Sequence, residues 1–65
     1  MENIIKEKRK LLNMSQEQLA VVCNVSRQTI NAIENNKYDP SLELAFLLSI
    51  TLQTRLEELF IYKGK

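Results

Sequence analysis

Residues 16–35, QEQLAVVCNVSRQTINAIEN, constrain this chain more than any other stretch. They read as helix, tight turn, helix. Leu19, Ala20 and Cys23 give the first piece an apolar face, and Val25, Ile30 and Ile33 give one to the second. Asn24 falls between the two, where the backbone must bend sharply. Asparagine tolerates the left-handed conformation better than most non-glycine residues, because its short amide bonds locally. Ala20 is small and stands where two helices would cross closely. Ser26 can accept from the free N–H groups that open the second piece, and so cap it.

The second piece predicts a helix over about 27–35. On its wheel Ile30 and Ile33 point inward. Gln28, Asn31, Ala32 and Asn35 point outward, with Arg27 at the N-terminal edge, and no acidic residue lies between Asn24 and Ile33. An outward face of this kind suits the edges of nucleic-acid bases, with Arg bidentate to guanine and Gln or Asn bidentate to adenine. A helix-turn-helix sets its second helix in the major groove, N-terminal residues foremost. An ordinary solvated helix also carries Gln and Asn. What favours groove reading is that the turn and both apolar faces coincide with the polar one.

The chain has 65 residues, enough for one small domain spanning 1–65. A core of that size contributes only about 3–5 kcal/mol net unless something supplements it. One cysteine excludes an internal disulfide, histidine is absent, and no acidic or thiol cluster suits a metal. Oligomerisation is the supplement left. The net charge of +1 argues against strong non-specific nucleic-acid affinity. The positive charge is nevertheless clustered, with Lys6, Lys8, Arg9 and Lys10 together in the first helix. No apolar run approaches the ~18 residues needed to cross a bilayer. Nothing resembles a secretory leader, and a cytoplasmic location is expected.

Residues 3–12 predict the first helix, with Ile5, Leu12 and the stem of Lys8 on its core side. Asn13 ends it in a left-handed position. Ser15 and Gln18 have the spacing of a capping box for the second helix, and Met14 precedes them as a staple. Gln16, in that first turn, could donate to a nucleic-acid phosphate beside the free backbone N–H groups, or could simply be solvated. Glu34 falls near the inward face of the third helix. A buried carboxylate needs a partner, and Arg9 is the best candidate for an ion pair. Asn36 can take the left-handed stop, and Pro40 forbids helix at Asp39. Lys37 and the Tyr38 hydroxyl follow the third helix, where either could meet phosphate; Tyr38 could equally pack on the fold.

Ser41 is expected to cap a fourth helix, LELAFLLSITL. Leu42, Ala45, Leu48, Ser49 and Leu52 form its expected inward stripe. Phe46, Leu47 and Ile50 form a second stripe on the far side, where a monomer should be polar. Ile61 extends that surface. A homodimer through Phe46, Leu47, Ile50 and Ile61 is the expectation. Thr54 and Glu57 have capping-box spacing for a short fifth helix, whose Leu56, Leu59 and Phe60 would face inward.

The run MSQEQLAVVCNVSRQTINAIENNKYDPSLELA, with the closing LEELF, resembles the Cro/phage-repressor (Xre) helix-turn-helix regulators. The likeness covers residues 3–62 and is closest to short stand-alone members. It implies an all-α, five-helix, lambda-repressor-like DNA-binding fold with helices 2 and 3 as the motif. It implies a transcriptional repressor that binds double-stranded DNA as a homodimer on a palindromic operator. Carried over by position, Arg27, Gln28 and Asn31 would face bases. Gln16, Thr29, Asn35, Lys37 and Tyr38 would meet the DNA backbone, and Arg9 and Glu34 would form the interhelical ion pair. Asn13, Asn24 and Asn36 stand where the family usually has glycine, and Arg55 where it usually has Ser or Thr.

No nucleophile–base pair, metal cluster or glycine-rich phosphate loop is present, so an enzyme is not expected. Neither a cofactor nor a small-molecule ligand is expected. A membrane partner is disfavoured, because the apolar stripe lacks a basic rim. The competing expectation is an antitoxin-like or adaptor protein acting through the apolar surface of helices 4 and 5.

Overall fold

The computed structural model of the protein describes residues 1–64. In chain order the elements are β1 (Glu2–Asn3), α1 (Ile5–Leu11), α2 (Gln16–Cys23), α3 (Arg27–Glu34), α4 (Leu42–Thr51), α5 (Leu56–Leu59) and β2 (Phe60–Ile61). The five helices enclose one core. Leu19 of α2, Leu48 of α4 and Leu59 of α5 are fully buried, and Ile5, Ile30, Ile33 and Leu52 complete the centre. No helix among the described residues is long and apolar enough to cross a membrane.

The caps and turns that hold α2 and α3 are made by short polar side chains. Gln18 N–H donates to Ser15 Oγ at 3.0 Å and Ser15 N–H donates to Gln18 Oε1 at 2.8 Å, a complete capping box. Met14, just before it, packs on the core. Asn24 ends α2 at φ 60°, ψ 41°, and Val25 N–H closes the turn on the Ala20 carbonyl at 3.0 Å. Ser26 Oγ then accepts Thr29 N–H at 3.1 Å to open α3. Asn13 and Asn36 take the left-handed conformation as well, at φ 58° and 62°.

The chain departs from its sequence pattern in five places. Asn3 is not helical. It pairs with Phe60, and Glu2 pairs with Ile61, in a two-stranded antiparallel sheet. The Asn3 side chain fixes this, since its Nδ2 donates to the Ile33 carbonyl at 2.9 Å and its Oδ1 accepts Ile5 N–H at 3.1 Å, where α1 begins. In α1, Leu12 lies on the surface and Arg9 takes the buried position. The helix stops at Leu11, so Leu12 leaves the inward row.

In α4, Leu42 is 69% exposed although the expected inward stripe includes it, and Leu44, which neither stripe includes, is buried. Ala45, Leu48, Ser49 and Leu52 keep their inward places. The helix is apolar nearly all round, so no polar side fixed its phase in the sequence. The Thr54–Glu57 capping box does not form. Gln53 turns left-handed at φ 54°, Thr54 Oγ1 donates back to the Leu52 carbonyl at 3.0 Å, and Arg55 becomes the N-cap of α5 without a side-chain bond. Phe60 belongs to β2 rather than to a longer α5, though it still packs on the core.

Candidate nucleic-acid interface

The outer side of α3 carries the candidate reading residues. Arg27, Gln28 and Asn31 are exposed, while Thr29 and Ala32 are half-buried. Neither the Arg27 nor the Gln28 side chain has a hydrogen bond or ion pair among the described residues. Arg27 is therefore free to meet acceptors outside the chain, and Gln28 donors or acceptors. Asn31 is partly engaged: Asn35 Nδ2 donates to its backbone carbonyl at 2.9 Å and to its Oδ1 at 3.2 Å. The Asn35 amide is thus folded back along the helix, and the Asn31 amide nitrogen remains free. The Thr29 hydroxyl shares a bond of 3.0 Å with Ser26 Oγ at the helix cap.

Beyond α3, Asn36 turns the chain and Lys37 N–H closes on the Ala32 carbonyl at 2.9 Å. The turn delivers exposed Lys37 and Tyr38 beside the end of α3. Tyr38 stays 52% exposed and lines a groove with Asn24, Val25, Thr29 and Leu47. Glu43 also lines this groove and is its carboxylate.

The end of α3 is joined to α1 by an ion pair and to the start of α2 by a hydrogen bond. Arg9 Nε and Nη2 donate to the two oxygens of Glu34 at 2.8 and 3.2 Å, with side chains only 8% and 3% exposed. Arg9 Nη1 donates to the Met14 carbonyl at 2.9 Å. Gln16 Nε2 donates to Glu34 Oε1 at 3.0 Å. Sequence spacing gave no signal for this last bond, because nothing local pairs residues so far apart. Since Arg9 is committed to Glu34, the basic run of α1 presents Lys6 and Lys10 to solvent without it, with Lys8 half-buried.

Two titrating groups are shifted, and neither is a candidate contact. Burial pushes the Cys23 thiol up, against a hydrogen bond with Thr51 that lowers it. A backbone hydrogen bond at Glu57 itself, helped by the nearby Arg55, holds the Glu57 carboxyl below its usual range. Among the described residues no group of His, Cys, Asp or Glu side chains could hold a metal.

The second candidate surface is apolar. Phe46, Leu47 and Ile50 lie exposed on the outer side of α4, with Ile61 exposed in β2. Leu42 joins them, because Leu42, Phe46 and Ile50 follow one another at helical spacing along a single row. Tyr62 is exposed just past Ile61. Leu42 lies on this face although the sequence stripe placed it inward.

Comparison with known proteins gives concordant matches. The helix-turn-helix family model matches residues 5–59. An uncharacterized HTH-type transcriptional regulator of Methanocaldococcus jannaschii is 51% identical over 63 residues, covering 97% of this chain and 96% of its own. A counterpart in Archaeoglobus fulgidus is 43% identical over 58 residues, covering 89% of this chain and 82% of its own. Among solved structures, the restriction-modification controller protein C.AhdI of Aeromonas hydrophila superposes with a TM-score of 0.78 at 28% identity. That match covers 86% of this chain and 85% of the controller.

Proposed function

The chain belongs to the Cro/C1-type (Xre) family of helix-turn-helix proteins, and on that premise we propose that it is a cytoplasmic transcriptional repressor that binds a palindromic operator as a homodimer. The observation that carries this reading is the state of Arg27 and Gln28. They open α3, they are exposed, and no internal bond holds them, while Asn24 and the Ser26 cap fix the helix beneath them. In this reading Arg27, Gln28 and Asn31 recognise base edges. Gln16, Thr29, Asn35, Lys37 and Tyr38 hold phosphates and set the register. Repression follows from occupancy of the operator, with no chemical step by the protein.

The dimer is formed through Phe46, Leu47, Ile50 and Ile61, whose joint exposure supports a second copy as the covering surface. Two recognition helices on one face of the duplex require half-sites about one helical turn apart, ~34 Å. The same apolar surface and the low net charge also support a second reading, an antitoxin-like or adaptor protein acting through another polypeptide.

Selection of binding sites from random duplex DNA near physiological salt separates these readings, with Arg27→Ala/Gln28→Ala as the control. The expected outcome is a palindromic consensus that the control protein loses. A single half-site would keep DNA recognition and remove the dimer. No enrichment by the folded protein would leave the adaptor reading.

A further inference from the structure

The buried ion pair between α1 and α3 has a third member. Glu34 Oε2 accepts from Arg9 Nε, and Glu34 Oε1 accepts from both Arg9 Nη2 and Gln16 Nε2. A free glutamine amide can offer either its oxygen or its nitrogen to a neighbour. A phosphate accepts only donors. Turning the amide over would set its oxygen against the Glu34 carboxylate, so the bond at 3.0 Å fixes the nitrogen inward. One Nε2 proton is used there and the other is spare. Gln16 is also the first residue of α2, where its own N–H and that of Glu17 have no partner within the helix. The N–H of Gln18 is already taken by Ser15.

A carboxylate beside an anion-binding group would ordinarily repel the anion. Here Arg9 lies against both carboxylate oxygens and cancels their charge. The same atoms join the last residue of α3 to the first residue of α2. A phosphate anchor at one helix end and a reading surface on the other helix are thereby held in one register.

We propose that Glu34 is a positioning residue for DNA-backbone binding. It fixes the Gln16 amide with a spare N–H for a phosphate oxygen, and Arg9 keeps that arrangement electrically neutral. This rests on the DNA-binding reading above.

Removing Glu34 alone would strand a buried guanidinium and endanger the fold, so the informative variant is Arg9→Met/Glu34→Met. Apolar replacement of a whole buried pair is often neutral or stabilising. Affinity for the selected duplex is measured by fluorescence anisotropy for the unsubstituted protein, Gln16→Ala, the pair variant and the triple variant, each with a thermal melt. Gln16→Ala and the pair variant are each expected to bind roughly tenfold more weakly, as for one hydrogen bond to a charged group. The triple variant should bind no more weakly than Gln16→Ala. The salt dependence should stay constant throughout, because a neutral amide displaces no counterion. A folded pair variant that binds as tightly as the unsubstituted protein would overturn the proposal, and so would losses that multiply in the triple.

A second measurement needs no change to the ion pair. In the free protein the Gln16 side-chain amide, assigned by its loss in Gln16→Ala, should show one N–H resonance protected from exchange. The other N–H should move when the duplex is added. A Gln16 amide that exchanges as freely as that of exposed Gln28 would also overturn the proposal. If the unsubstituted protein binds no duplex at all, the DNA-binding reading itself fails, and this proposal with it.

Discussion

Cys23 closes the inner face of α2 and is buried, with Thr51 as a hydrogen-bonding neighbour. Burial holds its thiol above the ordinary value, so the unfolded chain gives up that proton at a lower pH than the folded one. Stability is therefore intact below the ordinary thiol range and falls as pH rises through it toward the folded value. The denaturant midpoint of the unsubstituted protein is expected to fall more steeply above about pH 8.5 than that of Cys23→Ala. Parallel curves from equilibrium unfolding would show that the thiol contributes nothing to the slope. At this scale the sequence was informative wherever a side chain acts on its own backbone. Asn13, Asn24 and Asn36 announced left-handed turns, and Ser15, Ser26 and Ser41 announced caps. Gln53 did not, because nothing in a glutamine favours φ 54°.

At the scale of elements, legibility followed how sharply polar and apolar faces separate. The helix α3 has a polar side and an apolar side, and its burial matched expectation at Ile30 and Ile33. The helix α4 has almost no polar side, so the pattern did not show that Leu44 rather than Leu42 is buried. The strands β1 and β2 were invisible, since each is too short for a period and exists only through the other. The weakest element is α5, four residues opened by Arg55 without a capping bond. Its exposed ion pair from Arg55 to Glu57, at 2.6 Å, contributes little in water. Arg55→Ser places a capping oxygen at that position and is expected to stabilise the chain by about 1 kcal/mol. A lower melting temperature for this variant would show that Arg55 does more than open the helix.

For the whole molecule, the large question is what covers α4. Ile50 is 72% exposed on a helix whose other side fills the core, and an exposed apolar row of this kind normally marks an interface. Leu47→Glu with Ile50→Glu is expected to leave a folded monomer that binds its operator more weakly. Sedimentation that finds the same dimer as before would reject this face. The two-stranded sheet has a mechanical consequence. In the antiparallel pair, Glu2 faces Ile61 at the open end and Asn3 faces Phe60 further in. A pull applied through the two ends would load these rungs one after another, as in a zipper, rather than all at once. After them comes the bond from Ile4 N–H to the Leu59 carbonyl, and Asn3 carries the strain directly to Ile33 in the last turn of α3. Tension on the ends of the chain would thus peel the two rungs open at low force before it reached the core at Leu59 and Ile33.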